Sequence, residues 1–155
     1  MQEISYEYIR GLVDGEGSFT FCTTPGLLMV DGKAFKPRIP AFILSMNSRD
    51  KDLIVSVRDK LGLKNRVYTY RSTPLHTFNK SYIRGSKSIL IVRDFPSLKN
   101  IIIPVFYRKL VGYKGIQFET WLELIGTDPA VPNLYKLLYK LHKSGFYEEN
   151  DYFSN

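Results

Sequence analysis

The chain has few of the features that mark secreted or membrane proteins. It contains one cysteine, and no apolar run approaches the roughly 20 residues that a membrane-spanning helix needs. A single cysteine excludes an intrachain disulfide framework and fits a reducing compartment. The first residues form neither a signal-peptide core nor an Arg/Ser-rich transit pattern. We therefore expect a soluble intracellular protein, in a prokaryotic cytoplasm or inside an organelle.

Acidic residues are scarce in the middle of the chain. The formal net charge is +7, and residues 60–114 contain twelve lysines and arginines against one acid, Asp94. A solvated surface is the simplest explanation of such a charge, but tyrosine, serine and asparagine residues lie between the basic ones. These side chains contact phosphates and base edges, so the stretch favours a nucleic-acid partner.

Length and apolar periodicity indicate one globular domain with alternating helices and strands. With 155 residues, 44% of them hydrophobic, the chain can bury a core, and we expect a single domain over residues 1–155. The predicted order is a helix, two strands, a helix, two strands and then further helices. The helices cover residues 6–14, 49–61, 115–124 and 134–143, with another beginning at Phe95; the strands cover residues 18–24, 38–46 and 66–72 and a segment ending near Val92.

Residue types at the ends of these segments predict the helix boundaries. Ser5 and Ser48 are the predicted N-caps of the first two helices, and Gly62 is predicted to end the second. In the last helix, the spacing of Leu134, Leu137, Leu138 and Leu141 predicts one apolar face.

Residues 11–17 place two carboxylates and three glycines where a helical pattern changes to a strand pattern. The simplest explanation is a capped helix end, because Asp-Gly and Glu-Gly pairs are common in turns. However, an acid at a helix C-terminus opposes the helix dipole, so a bound cation explains Asp14 and Glu16 better than stability does. Gly11 and Gly15 are four residues apart and share one helix face, against which a second helix could pack closely.

Residues 9–19 resemble the signature of the LAGLIDADG homing endonucleases. The run Arg10-Gly11-Leu12-Val13-Asp14-Gly15-Glu16-Gly17 stands in the signature's order, with Arg10 in place of the usual small residue. Residues 42–46, 52–54 and 61–62 are similar to the family's second strand and following helix. Residues 102–106 and 110–118 are similar to its late helix, lysine turn and next helix, so the resemblance runs over roughly residues 5–125.

The resemblance implies an α+β fold and a homodimer. The expected fold is the mixed αββαββα homing-endonuclease fold, with a four-stranded antiparallel DNA-binding sheet. Cutting both strands of a duplex needs two reactive centres, and the chain has no second copy of the motif. The family's solution at this length is a symmetric dimer in which the motif helices pack at the two-fold axis. The implied dimer interface consists of Tyr8, Gly11, Leu12 and Gly15.

The resemblance also implies a site-specific, intron-encoded endonuclease that hydrolyses phosphodiester bonds with Mg²⁺, two or three divalent ions being expected per dimer. Glu16 holds the position of the family's metal-binding acid, with the Gly15 carbonyl beside it as a further ligand. Asp14 is expected to orient the helix end or the interface. Lys114 matches the family's active-site lysine, so Glu16 and Lys114 are the catalytic candidates.

Double-stranded DNA is the expected partner, with a long near-palindromic target that one face of the sheet contacts. The candidate contacts are Thr20, Cys22, Thr24, Arg38, Arg66, Tyr68, Tyr70, Lys80, Arg84, Ser86 and Ser88. Intron RNA is a further candidate partner, because an RNA-binding maturase or a non-cleaving DNA-binding regulator could use the same fold. The retained Glu16 and Lys114 favour cleavage, since an acid facing phosphates weakens binding unless a cation intervenes.

Two positions depart from the family's pattern. Met46 stands where the family often has glutamine, so Asn47 or Ser48 is the alternative polar group. Arg10 is too large for a tight helix interface and is expected to face out or to pair with Glu7.

Overall fold

The fold is seen in a computed structural model, which describes residues 2–71, 85–149 and 153–154. The helices are α1 Tyr6–Glu16, α2 Lys51–Leu61, α3 Phe95–Ser97, α4 Ile103–Phe106, α5 Tyr113–Thr127, α6 Asn133–Lys143 and α7 Phe146–Glu149. The strands are β1 Gly17–Thr23, β2 Leu28–Val30, β3 Lys33–Phe35, β4 Arg38–Asn47, β5 Val67–Arg71 and β6 Ser86–Val92. None of the helices in the described ranges combines the length and hydropathy needed to span a bilayer.

The four long strands form one antiparallel sheet in the order β1-β4-β6-β5. The register aligns Phe19 with Phe42 and Val92 across three strands, and these side chains join helix residues such as Ile54 in one buried core. The helices therefore pack on one face of the sheet. The predicted α+β class and its four-stranded antiparallel sheet are confirmed.

Helix α1 begins as the sequence predicts and runs two residues further. The hydroxyl of Ser5 accepts a hydrogen bond from the backbone N–H of Tyr8 at 3.0 Å, which makes Ser5 the N-cap. The helix ends at Glu16, and β1 starts at the next residue. A Cβ at Gly17 would lie 2.6 Å from Cγ1 of Val13, so this abrupt change from helix to strand requires glycine.

Helix α5 lies along the outer edge of the sheet, beside β1. The backbone N–H of Phe19 donates to Oε1 of Gln117, and Nε1 of Trp121 donates to the carbonyl of Thr20. These two side chains satisfy backbone groups that an edge strand would otherwise leave open. They also link α5 to the strand that follows the glycine-acid motif.

Between β4 and α2 the predicted cap is wrong. Asn47, not Ser48, caps the turn, because Oδ1 of Asn47 accepts from the N–H of Arg49 at 3.0 Å. The turn is a 3₁₀-helix over Ser48–Asp50, and α2 starts after it. The Ser48 hydroxyl instead bonds the hydroxyl of Ser86 on β6. Gly62 ends α2 in the left-handed region at φ 75°, as predicted.

Three further features were not expected from the sequence pattern. The segment between β1 and β4 contains the β2–β3 hairpin, whose turn has Asp31 and Gly32 at positive φ. The helix predicted from Phe95 is interrupted by a π-helical turn, Leu98–Ile102, directly before Pro104 removes a backbone donor. A short α7 follows α6.

The predicted apolar face of α6 is only half right. Leu138 is fully buried, but Leu134 and Leu137 are 59% and 40% exposed. His142, one turn after Leu138, is buried and pairs with the hydroxyl of Tyr107 at 2.7 Å. The face of α6 that meets the core is therefore rotated away from Leu134.

Candidate functional site

The end of α1 is fastened to the turn that precedes α5. The carboxylate of Asp14 accepts hydrogen bonds from the backbone N–H groups of Val111 and Gly112, both at 3.1 Å. The two segments are nearly a hundred residues apart in sequence. Of the two roles expected of Asp14, these bonds fit orientation of the helix end.

This turn is tight and carries Lys114. The N–H of Gly115 donates to the carbonyl of Gly112 at 2.9 Å. A Cβ at Gly115 would lie 2.9 Å from the carbonyl oxygen of Leu110, so a larger residue would displace the backbone. Lys114 lies in the first turn of α5, within this constrained segment, and is half-buried.

Glu16 differs from Asp14 in having no partner. It is the last residue of α1 and is exposed, and it makes no hydrogen bond or ion pair with any residue that the structure describes. The N–H of Phe19, which a continued helix would donate to the Gly15 carbonyl, donates to Gln117 instead. The Gly15 carbonyl therefore lacks the helical donor that Phe19 would supply, and it belongs to the residue next to Glu16 in the chain.

A single copy of the chain offers no complete metal cage within its described part. No group of three or more His, Cys, Asp or Glu side chains there could hold a metal ion. Mg²⁺ needs only one or two protein carboxylates, since it keeps several waters. The donor set at Glu16 and Gly15 suits such a hard cation.

One face of α1 is open. Tyr8 is 48% exposed, Gly11 and Gly15 are exposed, and Leu12 is half-buried. A Cβ added at Gly11 or Gly15 would meet nothing within 4 Å. Within one copy of the chain, these glycines are not needed for packing.

The sheet face opposite the core carries Thr20 and Cys22 on the edge strand β1 and Tyr68 and Tyr70 on the other edge strand, β5. Lys87 lies on the same outer face of β6, next to β5. Half-buried isoleucines at positions 39, 43, 89 and 91 lie between the two edges. Tyr68 and Tyr70 are 51% and 47% exposed, and the guanidinium of Arg66 lies 5.0 Å from the ring centre of Tyr68.

Comparison with known proteins gives structural matches alone. No protein-family model and no curated protein matches the sequence. The homing endonuclease I-TnaI matches with a TM-score of 0.54 and 19% identity, over 80% of this chain and 73% of that one. The LAGLIDADG homing endonuclease I-GzeII, in complex with its DNA target, matches with a TM-score of 0.56 and 26% identity. The LAGLIDADG meganuclease I-CpaMI, bound to uncleaved DNA, matches with a TM-score of 0.60 and 20% identity.

This chain has the LAGLIDADG homing endonuclease fold. The matches cover 92% of it against I-GzeII and 94% against I-CpaMI, but only 44% and 42% of those chains. The chain therefore spans less than half the length of these two endonucleases. It carries one copy of the LAGLIDADG-like motif.

Arg10, the unusual residue of the LAGLIDADG helix, points inward. It is 3% exposed and bonds the carbonyls of Val105 and Phe153 and the carboxylate of Glu7, at 2.8, 2.7 and 2.7 Å. The expected pairing with Glu7 is confirmed, and the expectation that Arg10 faces out is wrong. Its length is used to hold α1 against α4 and the C-terminal segment, so it does not obstruct the open face of α1.

Two serines predicted to contact DNA lie on the core side of the LAGLIDADG sheet. Ser88 is fully buried and pairs with the hydroxyl of Thr69 at 2.8 Å, and Ser86 pairs with Ser48. The outward positions of β6 are Lys87, Ile89 and Ile91. The four consecutive apolar residues that end β6 hide its alternation, so sequence could not show which parity faces out.

Arg38 and Met46 also lie on the core side of the sheet. The Arg38 guanidinium bonds the carboxylate of Asp128 at 2.5 Å and lies 4.5 Å from the ring centre of Phe21. Met46 lies opposite Ser88 in the strand register and packs on the core, so Asn47 has the outward position at this end of β4. Thr24 follows the end of β1 and is half-buried, and its backbone N–H donates to the carbonyl of Pro37. Lys80 and Arg84 lie outside the described residues.

Proposed function

We propose that the chain is a homodimeric, Mg²⁺-dependent, site-specific DNA endonuclease of the homing type, formed by one domain over residues 1–155. The observation that carries the proposal is the contrast between the two motif acids. Asp14 accepts hydrogen bonds from two backbone N–H groups. Glu16 is exposed, has no described partner and follows Gly15, whose carbonyl is the second candidate ligand. An exposed acid beside a DNA-binding surface is explained by a bound cation.

Phosphodiester hydrolysis needs a nucleophilic water, in-line geometry and stabilisation of developing negative charge. A divalent ion, when bound, supplies all three. Glu16 and the Gly15 carbonyl would hold it. Lys114 adds a positive charge close to the reacting phosphate in this proposal, and the bonds of Asp14 fix the turn that carries Lys114 relative to α1.

The outer face of the sheet supports duplex DNA as the substrate. Arg66 and Lys87 provide charges for phosphates, and Tyr68 and Tyr70 provide hydroxyls and ring surface. The isoleucines between the polar ends suit thymine methyl groups rather than hydrogen-bonding base edges. The structural neighbours I-GzeII and I-CpaMI were both solved with DNA, which supports the same ligand class here.

Two observations support a homodimer. The chain spans less than half of those two neighbours and has one motif, so it would supply one reactive centre for a two-stranded substrate. The face of α1 that carries Gly11 and Gly15 is open in a single copy, which allows a close crossing with the same helix of a second copy.

The deciding experiment is cleavage of a randomised duplex library with Mg²⁺, followed by sequencing of the cut ends. We expect near-palindromic cut sites with the wild type and no cutting by Glu16→Gln. Glu149→Gln makes the same change at an exposed carboxylate of α7 and should cut normally. In Ca²⁺, Glu16→Gln should still bind the selected site.

Equal cutting by wild type and Glu16→Gln would refute the catalytic role of Glu16. Tight DNA binding without cutting under every condition would indicate a regulator instead. Preferential binding of structured RNA would indicate a maturase.

A further inference from the structure

Helix α5 and the turn before it carry apolar side chains that nothing in the described chain covers. The exposed fractions are 94% for Val111, 78% for Tyr113, 61% for Ile116 and 39% for Leu124. We call these four residues the α5 strip. From Tyr113 onward they line a groove of about 240 Å³ against the edge of β1, together with Phe21 and Trp121 and with the polar side chains of Gln117 and Thr120. Large exposed apolar side chains grouped along one groove are a feature of interaction sites.

The core does not explain this face, because α5 packs on the core with other residues. Phe118, Trp121, Leu122 and Ile125 are its buried side chains. Tyr113, Ile116 and Leu124 follow helical spacing on the other side, so α5 is apolar on two faces. Glu119 and Glu123 separate these two apolar faces on one side of the helix, and a helix with two such faces is typical of one that is covered on both.

The α5 strip adjoins the open face of α1. Its first residue, Val111, donates its backbone N–H to Asp14, on the last turn of α1. The α1 face comprises Tyr8, Gly11, Leu12 and Gly15. The strip therefore starts beside the last turn of the helix that carries this face.

The α1 face is too small to hold two chains together. Its 11 residues give a helix about 16 Å long and roughly 10 Å wide. Such a face buries a few hundred Å² at most, on the order of a third of the roughly 800 Å² per partner that a stable interface needs. A dimer through α1 needs further apolar surface close by.

We propose that a second copy of this chain covers the α5 strip as well as α1. The inference rests on the proposed homodimer and extends it to a surface that the motif does not include. DNA is a poor occupant of the strip itself, because its four residues are uncharged and phosphate contacts require positive charge; Lys114, between Tyr113 and Ile116, is half-buried and is not one of the exposed positions. A second copy supplies the missing area without any other component.

The test is sedimentation equilibrium of the full chain at micromolar concentrations, without DNA. Ile116→Asp puts a charge into the strip and should weaken the dimer at least about tenfold, which corresponds to roughly 1.4 kcal/mol. Leu134→Asp makes the same change on α6, where the exposed fraction is 59% against 61% for Ile116, and should dimerise like the wild type. Circular dichroism checks that each variant is folded. If Ile116→Asp fails to fold, Tyr113→Ser replaces it.

Each outcome separates the inference from the nuclease proposal. If Ile116→Asp dimerises as tightly as the wild type, the role of the α5 strip is overturned, while the dimer itself stands. A monomeric wild type would overturn it as well, including the case in which a different protein covers the strip. Nicking of one DNA strand by a monomer would leave the catalytic proposal for Glu16 intact.

Discussion

Asp14 and Glu16 are two residues apart on one helix, and their surroundings differ in kind. Asp14 accepts two backbone hydrogen bonds from the turn before α5, and these compete with any cation for its oxygens. Glu16 is exposed and has no such donors among the described residues. Glu16 is therefore the less encumbered of the two motif acids, and Asp14 links the end of α1 to the turn that carries Lys114.

Replacing Asp14 by asparagine should separate positioning from binding. The amide can accept one of the two N–H groups, but its NH₂ faces the other, so the turn that carries Lys114 shifts. We expect the cleavage rate to fall about 10- to 100-fold, since displacement of about 1 Å can cost that much. Binding to the same DNA in Ca²⁺ should be unchanged.

A double-mutant cycle with Lys114→Ala provides the control. If Asp14 acts through Lys114, then Asp14→Asn has little further effect on the cleavage rate in the Lys114→Ala background. An equal loss in both backgrounds would show that Asp14 acts by another route. The midpoint of thermal unfolding identifies variants that are merely destabilised.

At the scale of secondary-structure elements, α1 has two faces with separate roles. Ile9, Arg10 and Val13 are buried against the rest of the chain, and Arg10 reaches the carbonyl of Val105 near the end of α4. The other face, with Gly11 and Gly15, has open space around it. Because packing within the chain uses only the first face, changes on the second should affect association more than folding.

Gly11→Leu tests this separation. Leucine favours a helix by about 0.8 kcal/mol over glycine, and a Cβ at this position meets nothing within 4 Å. The chain should therefore unfold at an equal or higher urea concentration when measured at a protein concentration where it is monomeric. Its dimerisation constant by sedimentation should weaken more than tenfold, because the side chain blocks a close helix crossing. An unchanged dimer would show that α1 is not at the interface.

For the whole molecule, the net charge of +7 matters through its distribution between the two faces of the sheet. Arg38 is tied to Asp128 and stacks on Phe21 on the core side. Lys87 lies on the outer face and is exposed. The sequence alone does not distinguish the two cations, but only Lys87 is free to bind a phosphate and so release counterions from DNA.

The salt dependence of DNA binding should distinguish these cations. Lys87→Ala should reduce the slope of log K against log [salt] by about 1 for each lysine removed from the complex. Arg38→Ala should leave the slope unchanged, since its guanidinium is paired within the chain. Filter binding over a salt series in Ca²⁺ measures both. A loss of slope in Arg38→Ala would place the DNA on a surface other than the outer face.

Local sequence was sufficient for features whose causes lie within a few residues. The Ser5 cap, the left-handed Gly62 and the change from helix to strand within residues 11–17 were all readable in this way. Each follows from one side chain or one glycine acting on its neighbours. The glycine-acid motif likewise points to the end of α1 from local sequence alone.

Contacts between distant segments were required for the rest. Which motif acid is free depends on N–H groups nearly a hundred residues away, and the inward turn of Arg10 depends on the carbonyls of Val105 and Phe153. The orientation of Ser88 depends on the register of three strands, because the apolar run beside it has no alternation of its own. Periodicity reports only which residues prefer burial, whereas hydrogen-bond partners and strand register depend on chain segments that meet only in the folded state.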